Sequence, residues 1–231
     1  MIMNDLGGRC GKTRKQQFRE INEWLGHFQL RLSKDQLTLI FTFLNELMVW
    51  NKKVNLTGLG SKNRIIHELL LDSLLTGVVM PEEGRFLDIG SGAGFPAVPL
   101  KILKPSLTTH LVEPRKKRVR FLRHVIRILA LKHITVIEGR IQDQSGVLNR
   151  SGYDVITFRA LGPVPQMIAY GEPYLKDEGV MVIFRGGRPD SGGKEDKGIP
   201  PGDVLSIQKT IPYSLPGKPI HRELFILKKR Q

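Results

Sequence analysis

The stretch Arg85–Leu100, RFLDIGSGAGFPAVPL, decides the fold. It opens on a short apolar run, passes through Gly90, Gly92 and Gly94 at alternate positions, and leaves as an apolar run with helical spacing. A strand that turns through glycines into a helix starts a βαβ unit, and its loop lets backbone approach a ligand closely. Phe95 and Pro96 follow Gly94 where a phosphate loop needs Gly-Lys-Ser/Thr, so an NTPase loop is excluded. The dinucleotide fingerprint needs a glycine where Phe95 stands, which weakens NAD and FAD.

Outward from this loop the chain alternates. After it come LTTHLVE (107–113), the basic helix RKKRVRFLRHVIRILAL (115–131), HITVIEG (133–139), YDVITFRA (153–160), a helix over 164–175 and the strand GVMVIFRG (179–186). Strands alternating with helices predict a doubly wound, mostly parallel sheet. DVLSIQKTI (203–211) and ELFILKK (223–229) have no helix between them, which predicts an antiparallel pair closing a seven-stranded α/β sheet. The Gly/Pro/charge-rich segment 186–202 reads as a mobile loop.

Residues 13–80 read instead as helices. Phe18, Ile21, Leu25 and Phe28 recur at three-to-four spacing, and Leu37, Ile40, Phe41, Leu44, Leu47 and Met48 share a face after a Ser33/Gln36 capping box. A third helix is expected through NRIIHELLLDSLLTGVV (63–79), before Pro81 and Gly84. The division expected is an N-terminal helical region over 1–80 and a catalytic domain over 81–231.

The 231 residues carry a formal charge of +14. So basic a chain favours polyanions, and RNA, DNA and acidic membrane are the candidates. At about 100° per residue, Lys116, Arg120, Arg123 and Arg127 form one stripe, opposite Val119, Leu122, Ile126 and Leu129. With no acidic partner at i,i+4, that stripe reads as a phosphate-backbone contact rather than a merely solvated face. No apolar run approaches the roughly 18 residues of a membrane span. The N-terminus lacks a secretory apolar region, and Cys10 is the single cysteine, so a reducing cytoplasm is expected. The histidines show no metal-ligand spacing, so no metal is expected.

Asp88-x-Gly90-x-Gly92-x-Gly94 resembles motif I of class I S-adenosylmethionine-dependent methyltransferases, with an acidic residue, Glu113, ending the second strand. Further segments narrow the resemblance: WNKKVNLTG (50–58), LLLDSLL (69–75), FLDIGSGAGFPAVPLKILKP (86–105), KKRVRFLRHV (116–125), FRAL (158–161), FRGG (184–187) and HRELFIL (221–227). Together they are similar to the bacterial small-subunit ribosomal RNA methyltransferase G (GidB) family, which makes 7-methylguanosine in 16S ribosomal RNA. The resemblance implies a Rossmann-like methyltransferase fold and S-adenosylmethionine as cofactor. The partner implied is 16S ribosomal RNA, within the 30S subunit. Gly90, Ser91, Gly92, Gly94 and Phe95 would line the cofactor loop above Asp88. Glu113 would bind ribose, and Gly139, Arg140 and Ile141 would flank the adenine. Arg159 would stand beside the methyl donor, Arg185 on the fifth strand is a second catalytic candidate, and Arg222 would touch RNA. Asp72 reads as a residue pinning the helical part to the catalytic part, and Asn51 and Asn55 as helix-end residues satisfying backbone groups.

The chain departs from the family pattern at Leu69, where histidine is usual, at Gln142 for glutamate, and at Arg185 for lysine. A methyltransferase acting on another RNA or on a protein, and a non-catalytic RNA-binding relative, remain as alternatives.

Overall fold

The computed structural model describes residues 13–144, 146–148, 152–159, 162–186, 204–215 and 221–230. Cys10 and the greater part of the 186–202 loop lie outside them.

Seven strands form one sheet: β1 (Arg85–Ile89), β2 (Thr108–Glu113), β3 (Ile134–Glu138), β4 (Tyr153–Phe158), β5 (Leu175–Gly186), β6 (Leu205–Ser214) and β7 (His221–Lys229). Their order is β3-β2-β1-β4-β5-β7-β6. The first five strands pair parallel, and β7 runs antiparallel to both β5 and β6. The parallel order reverses between β1 and β4, so the carboxyl ends of those strands open a crevice, the usual ligand position in such sheets.

Strand periodicity sorts side chains between the two faces. Phe86, Leu111, Val155, Val182, Leu224 and Ile226 enter one buried cluster, shared with the N-terminal helices. Leu87, Val112, Ile156, Ile183, Phe225 and Leu227 enter the cluster on the other face. The helices on the first face are α1 (Arg14–Gly26) and α2 (Lys34–Val54), then α5 (Ala97–Leu103) and α6 (Lys116–Ile128) between strands. α7 (Val164–Gly171) packs on the second face.

α2 begins with the expected capping box, Ser33 and Gln36 each bonding the other's backbone N–H. Thr13 and Gln16 build a second box on α1. Gln36 also donates to the carbonyls of Ile102 and Leu103, locking the start of α2 to the end of α5. Phe43 packs on Phe95 at 5.1 Å, and Trp50 on Phe121 at 5.6 Å. The helical region therefore has no core of its own: Ile40, Phe43 and Leu44 are buried in the same cluster as Phe95, Phe121 and Leu122.

The helix expected over residues 63–79 is broken into pieces. α3 (Lys62–Ile65) passes into a π-helical turn over Ile66–Leu70, then α4 (Leu71–Leu75) and a 3₁₀ turn over Thr76–Val79. Wide π turns often occur at functional sites. Among the described residues, no helix is long and apolar enough to cross a membrane.

Candidate active site

The glycine loop leaves β1 at its carboxyl end. Gly90 and Ser91 donate to the carbonyl of Val112 on β2, Gly94 donates to Ser91, and Val98 donates to Gly94 to begin α5. Gly92 donates at 2.8 Å to Glu113 Oε2, while Glu113 Oε1 accepts from the Arg115 N–H at 2.9 Å. One carboxylate thus joins the β1 loop to the start of α6. Gly94 has φ +89°, and a Cβ there would sit 2.9 Å from Val98 Cγ2 and 3.2 Å from Leu122 Cδ2. No side chain fits without displacing the α5–α6 contact.

Two cavities open at this edge. The larger, about 510 Å³, is lined by Gly90, Ser91, Gly92, Phe95 and Glu113 on one side. Its other side is formed by Leu56, Thr57, Gly58, Leu59, Leu69 and Arg159, with Arg115 and Arg118 also in the wall. The smaller, about 210 Å³, is lined by Ile89, Val112, Gly139, Arg140, Ile141, Gln142 and Tyr170. Gly90 and Pro114 belong to both linings.

The structure brings together most of the residues the sequence nominates. Gly90, Ser91, Gly92, Phe95, Glu113 and Arg159 meet in the larger cavity, and Gly139, Arg140 and Ile141 in the smaller. Asp88 and Gly94 lie outside both linings. Asp88 sits beneath the loop, 1% exposed, where Oδ1 accepts from Thr157 Oγ1 at 2.6 Å and Oδ2 has no partner. Burial raises its pKa to about 6 against the opposing hydrogen bond from Thr157. The geometry makes it a support of the loop rather than a wall of the cavity.

Arg159 follows β4 on the same face as Val155 and Thr157, and its guanidinium turns toward the N-terminal helices. It bonds Asp72 Oδ2 at 2.6 Å and the Glu68 carbonyl at 2.9 Å, and lies 5.2 Å from the Phe184 ring. Arg222, nominated for RNA contact, takes a different place. Its parity on β7 matches Leu224 and Ile226, so it points inward, 3.0 Å from Asp72 Oδ2 and 3.2 Å from the Glu68 carbonyl. Arg185 lies on β5 opposite Glu223; its side chain is outside the described residues.

The basic stripe is on the surface. Lys116, Arg120, Arg123 and Arg127 are exposed, while Val119, Phe121, Leu122 and Val125 are buried. Arg123 has a partner that helix spacing does not reveal: Glu138, 3.8 Å away on β3. Sequence reasoning did not single out Arg118, which lies 3.9 Å from Glu113, or the Leu56–Leu59 wall. Asn51 carries the wall, donating to the Leu59 carbonyl at 3.0 Å and accepting from the Thr57 N–H at 2.8 Å. Asn55 ends α2 in the left-handed region at φ 46°. The WNKKVNLTG signature therefore builds a wall of the site, while Trp50 packs inward on Phe121 and His124.

The cavities suit S-adenosylmethionine. A flat base fits the apolar slot between Ile89, Val112, Ile141 and Tyr170. Ribose hydroxyls fit Glu113, whose oxygens retain lone pairs beyond the two backbone bonds. The larger cavity offers glycine backbone and cationic side chains to the amino-acid end. Among the described residues, no three His, Cys, Asp or Glu side chains gather as a metal site.

Residues 36–198 match the family described as rRNA small subunit methyltransferase G. The ribosomal RNA small subunit methyltransferase G of Geotalea uraniireducens is 34% identical over 206 residues, covering 87% of this chain and 91% of its own. Its counterpart from Chloroflexus aggregans is 38% identical over 160 residues, covering 68% and 67%. Among solved structures, a putative O-methyltransferase from Klebsiella pneumoniae covers 95% of this chain and all of its own, with a TM-score of 0.59 at 14% identity. M. jannaschii TYW2 in complex with AdoMet covers 69% of this chain and 75% of its own, with a TM-score of 0.51 at 13% identity, a likeness of fold. With the family match spanning most of the sheet and both cavities, the chain belongs to the rRNA small subunit methyltransferase G family.

Proposed function

We propose that this chain transfers a methyl group from S-adenosylmethionine to N7 of a guanine in 16S ribosomal RNA, within the 30S subunit and in the cytoplasm. The observation that carries this reading is the continuity of the cavity with a basic surface. Arg115 and Arg118 stand in the cavity wall at the start of α6, and Lys116, Arg120 and Arg127 continue along the exposed face of the same helix. A nucleotide delivered to the cavity would leave its flanking phosphates near that helix. Such contacts give affinity and position, with little sequence choice.

When bound, S-adenosylmethionine supplies an electrophilic methyl on a sulfonium centre. Guanine N7 carries an in-plane lone pair and loses no proton before attack, so the chain needs no general base. No Asn-Pro-Pro-Tyr motif and no cysteine pair occurs in the sequence. The work left to the protein is alignment and exclusion of water. Gly90, Ser91, Gly92 and Glu113 hold the donor side, Gly139, Arg140 and Ile141 flank the adenine, and Leu56–Leu59 with Leu69 close the opposite side. The contacts of Arg159 to Glu68, Asp72 and Ser73 use Nη1 and Nη2, and its Nε–H would serve an acceptor, either guanine O6 or the donor carboxylate. Arg185 is a further candidate on the fifth strand.

Labelled S-adenosylmethionine supplied with intact 30S subunits, with naked 16S RNA and with ribosomal protein alone tests the proposal. The product is digested to nucleosides. Label in 7-methylguanosine from an RNA-containing sample is expected; label on protein, adenine or ribose would refute it.

A further inference from the structure

Behind Arg159 in the cavity wall lies a buried ionic cluster that joins three parts of the chain. Asp72 is 2% exposed and stands in the first turn of α4, after the π-helical turn. Its Oδ2 holds Arg159 at 2.6 Å and Arg222 at 3.0 Å, and its Oδ1 accepts the Tyr213 hydroxyl. Arg159 and Arg222 both donate to the Glu68 carbonyl, inside the π-helical turn. Asp72 is therefore a carboxylate that the two guanidiniums share. Only Arg159 among its members also lines the larger cavity.

We infer that Asp72 is a positioning residue for methyl transfer: it fixes the Arg159 guanidinium at the cavity wall and ties that position to the C-terminal hairpin through Arg222 and Tyr213. The inference rests on the reading that Arg159 acts at the transfer site. Without the Asp72 charge, two guanidiniums crowd one carbonyl, and like charges in a poorly hydrated site repel strongly. Arg222 lies inside the sheet–helix interface, away from the cavity lining and with its Nε buried. Arg159 has the cavity beside it and is the one with room to move. The π-helical turn contributes by bringing the Glu68 carbonyl and the Asp72 carboxylate onto one guanidinium. Tyr213 adds orientation. Burial and the nearby Asp72 push its hydroxyl pKa up, so it stays a donor throughout the working range.

The test is a double-mutant cycle read on the single-turnover rate of methyl transfer to 30S subunits, with thermal stability and calorimetric S-adenosylmethionine binding measured alongside. Asp72→Asn is expected to slow transfer by about tenfold or more, since small misplacements at a reacting centre cost that much. Arg159→Met is expected to slow it at least as far, and the double variant no further than Arg159→Met alone. A merely structural Asp72 would multiply its effect in the double variant, and that result overturns the inference. Wild-type rate in Asp72→Asn beside a slow Arg159→Met overturns the inference alone. Wild-type rate in Arg159→Met removes the role assigned to Arg159 and the inference with it. If Asp72→Asn does not fold, Tyr213→Phe keeps the ring and all charges. It should slow transfer a few-fold, and that slowing should vanish in the Arg159→Met background; unchanged rate in Tyr213→Phe overturns the inference. Asp177→Asn, which breaks an exposed ion pair to Lys229 on the same hairpin, is expected to transfer at the wild-type rate. Slowing equal to that of Asp72→Asn would reduce the effect to hairpin docking and overturn the inference.

Discussion

The two sides of the larger cavity are built in opposite ways. The glycine-loop side is made of backbone from one contiguous segment, Gly90–Phe95, and is pinned by a single carboxylate, Glu113. The opposite side is made of side chains and a loop from the N-terminal helices, Leu56–Leu59 and Leu69, together with Arg159 from β4. The first side is crowded at Gly94, where an added side chain would meet Val98 and Leu122. The second is held by polar tethers: Asn51 bonds Thr57 and Leu59 a few residues on, and Arg159 bonds Glu68 and Asp72 far away in the chain. Sequence changes therefore act on the two sides through different physics: steric exclusion on one, loss of polar tethers on the other.

Gly94→Ala presses hardest on this contrast. A methyl group at φ +89°, 2.9 Å from Val98 Cγ2, meets both backbone strain and overpacking. A loss of about 2–4 kcal/mol is expected, with S-adenosylmethionine binding lost in calorimetry. Gly92→Ala is the internal control. Its φ is +57°, inside the left-handed region open to other residues, and its nearest neighbour is 3.6 Å away. It should cost about 1–2 kcal/mol; a loss equal to that of Gly94→Ala would show that backbone conformation, not crowding, sets this side.

Asn51→Ala attacks the other side. It removes the bonds to Leu59 and Thr57, and about 1–2 kcal/mol of stability should go with them. Methyl transfer should fall more than S-adenosylmethionine affinity, since the donor side is untouched. Equal losses in both would erase the distinction between the two sides.

Asp88→Asn separates support of the loop from cofactor contact. Burial raises Asp88 from 3.8 to about 6, so the folded state binds its proton more tightly than the unfolded chain. Its contribution favours folding at pH below about 4 and is lost as pH rises through about 6. The unfolding free energy of Asp88→Asn, relative to the parent, should therefore rise across that window in urea titrations. A flat difference would mean that Asp88 is already ionised in the folded protein at low pH.

The smallest effects are expected on α6. Replacing Arg120 or Arg127 by Gln should lower the salt dependence of RNA binding by roughly 0.7–0.9 in log–log slope for each phosphate no longer neutralised, without changing the single-turnover rate at saturating RNA. Arg123→Gln should change it less, because Glu138 already lies 3.8 Å from that guanidinium.

The sheet and the glycine-loop side were legible from local pattern. Strand alternation, the glycine series and the acidic end of β2 lie within short windows, where backbone conformation follows from nearby residues. The 63–79 segment was less so. Its apolar spacing is helical, yet the chain adopts a π-helical turn at Ile66–Leu70, where the Glu68 carbonyl meets Arg159 and Arg222. The resemblance assigns Arg222 to RNA contact, and the sequence alone does not reveal which way its side chain points. Its inward turn follows once the register of β7 on β5 is known, since residues of one parity share a face.

By itself the sequence determined an α/β sheet, the turn that opens its ligand edge, and a helix with one cationic stripe, because each rests on residues close together in the chain. Tertiary structure alone decided that the N-terminal helices wall the cavity, that Asp88 lies under the loop, and that one buried carboxylate holds Arg159 and Arg222 together. Those arrangements depend on packing and register between elements as far apart as α4 and β7, and no local pattern encodes which buried charges will face each other.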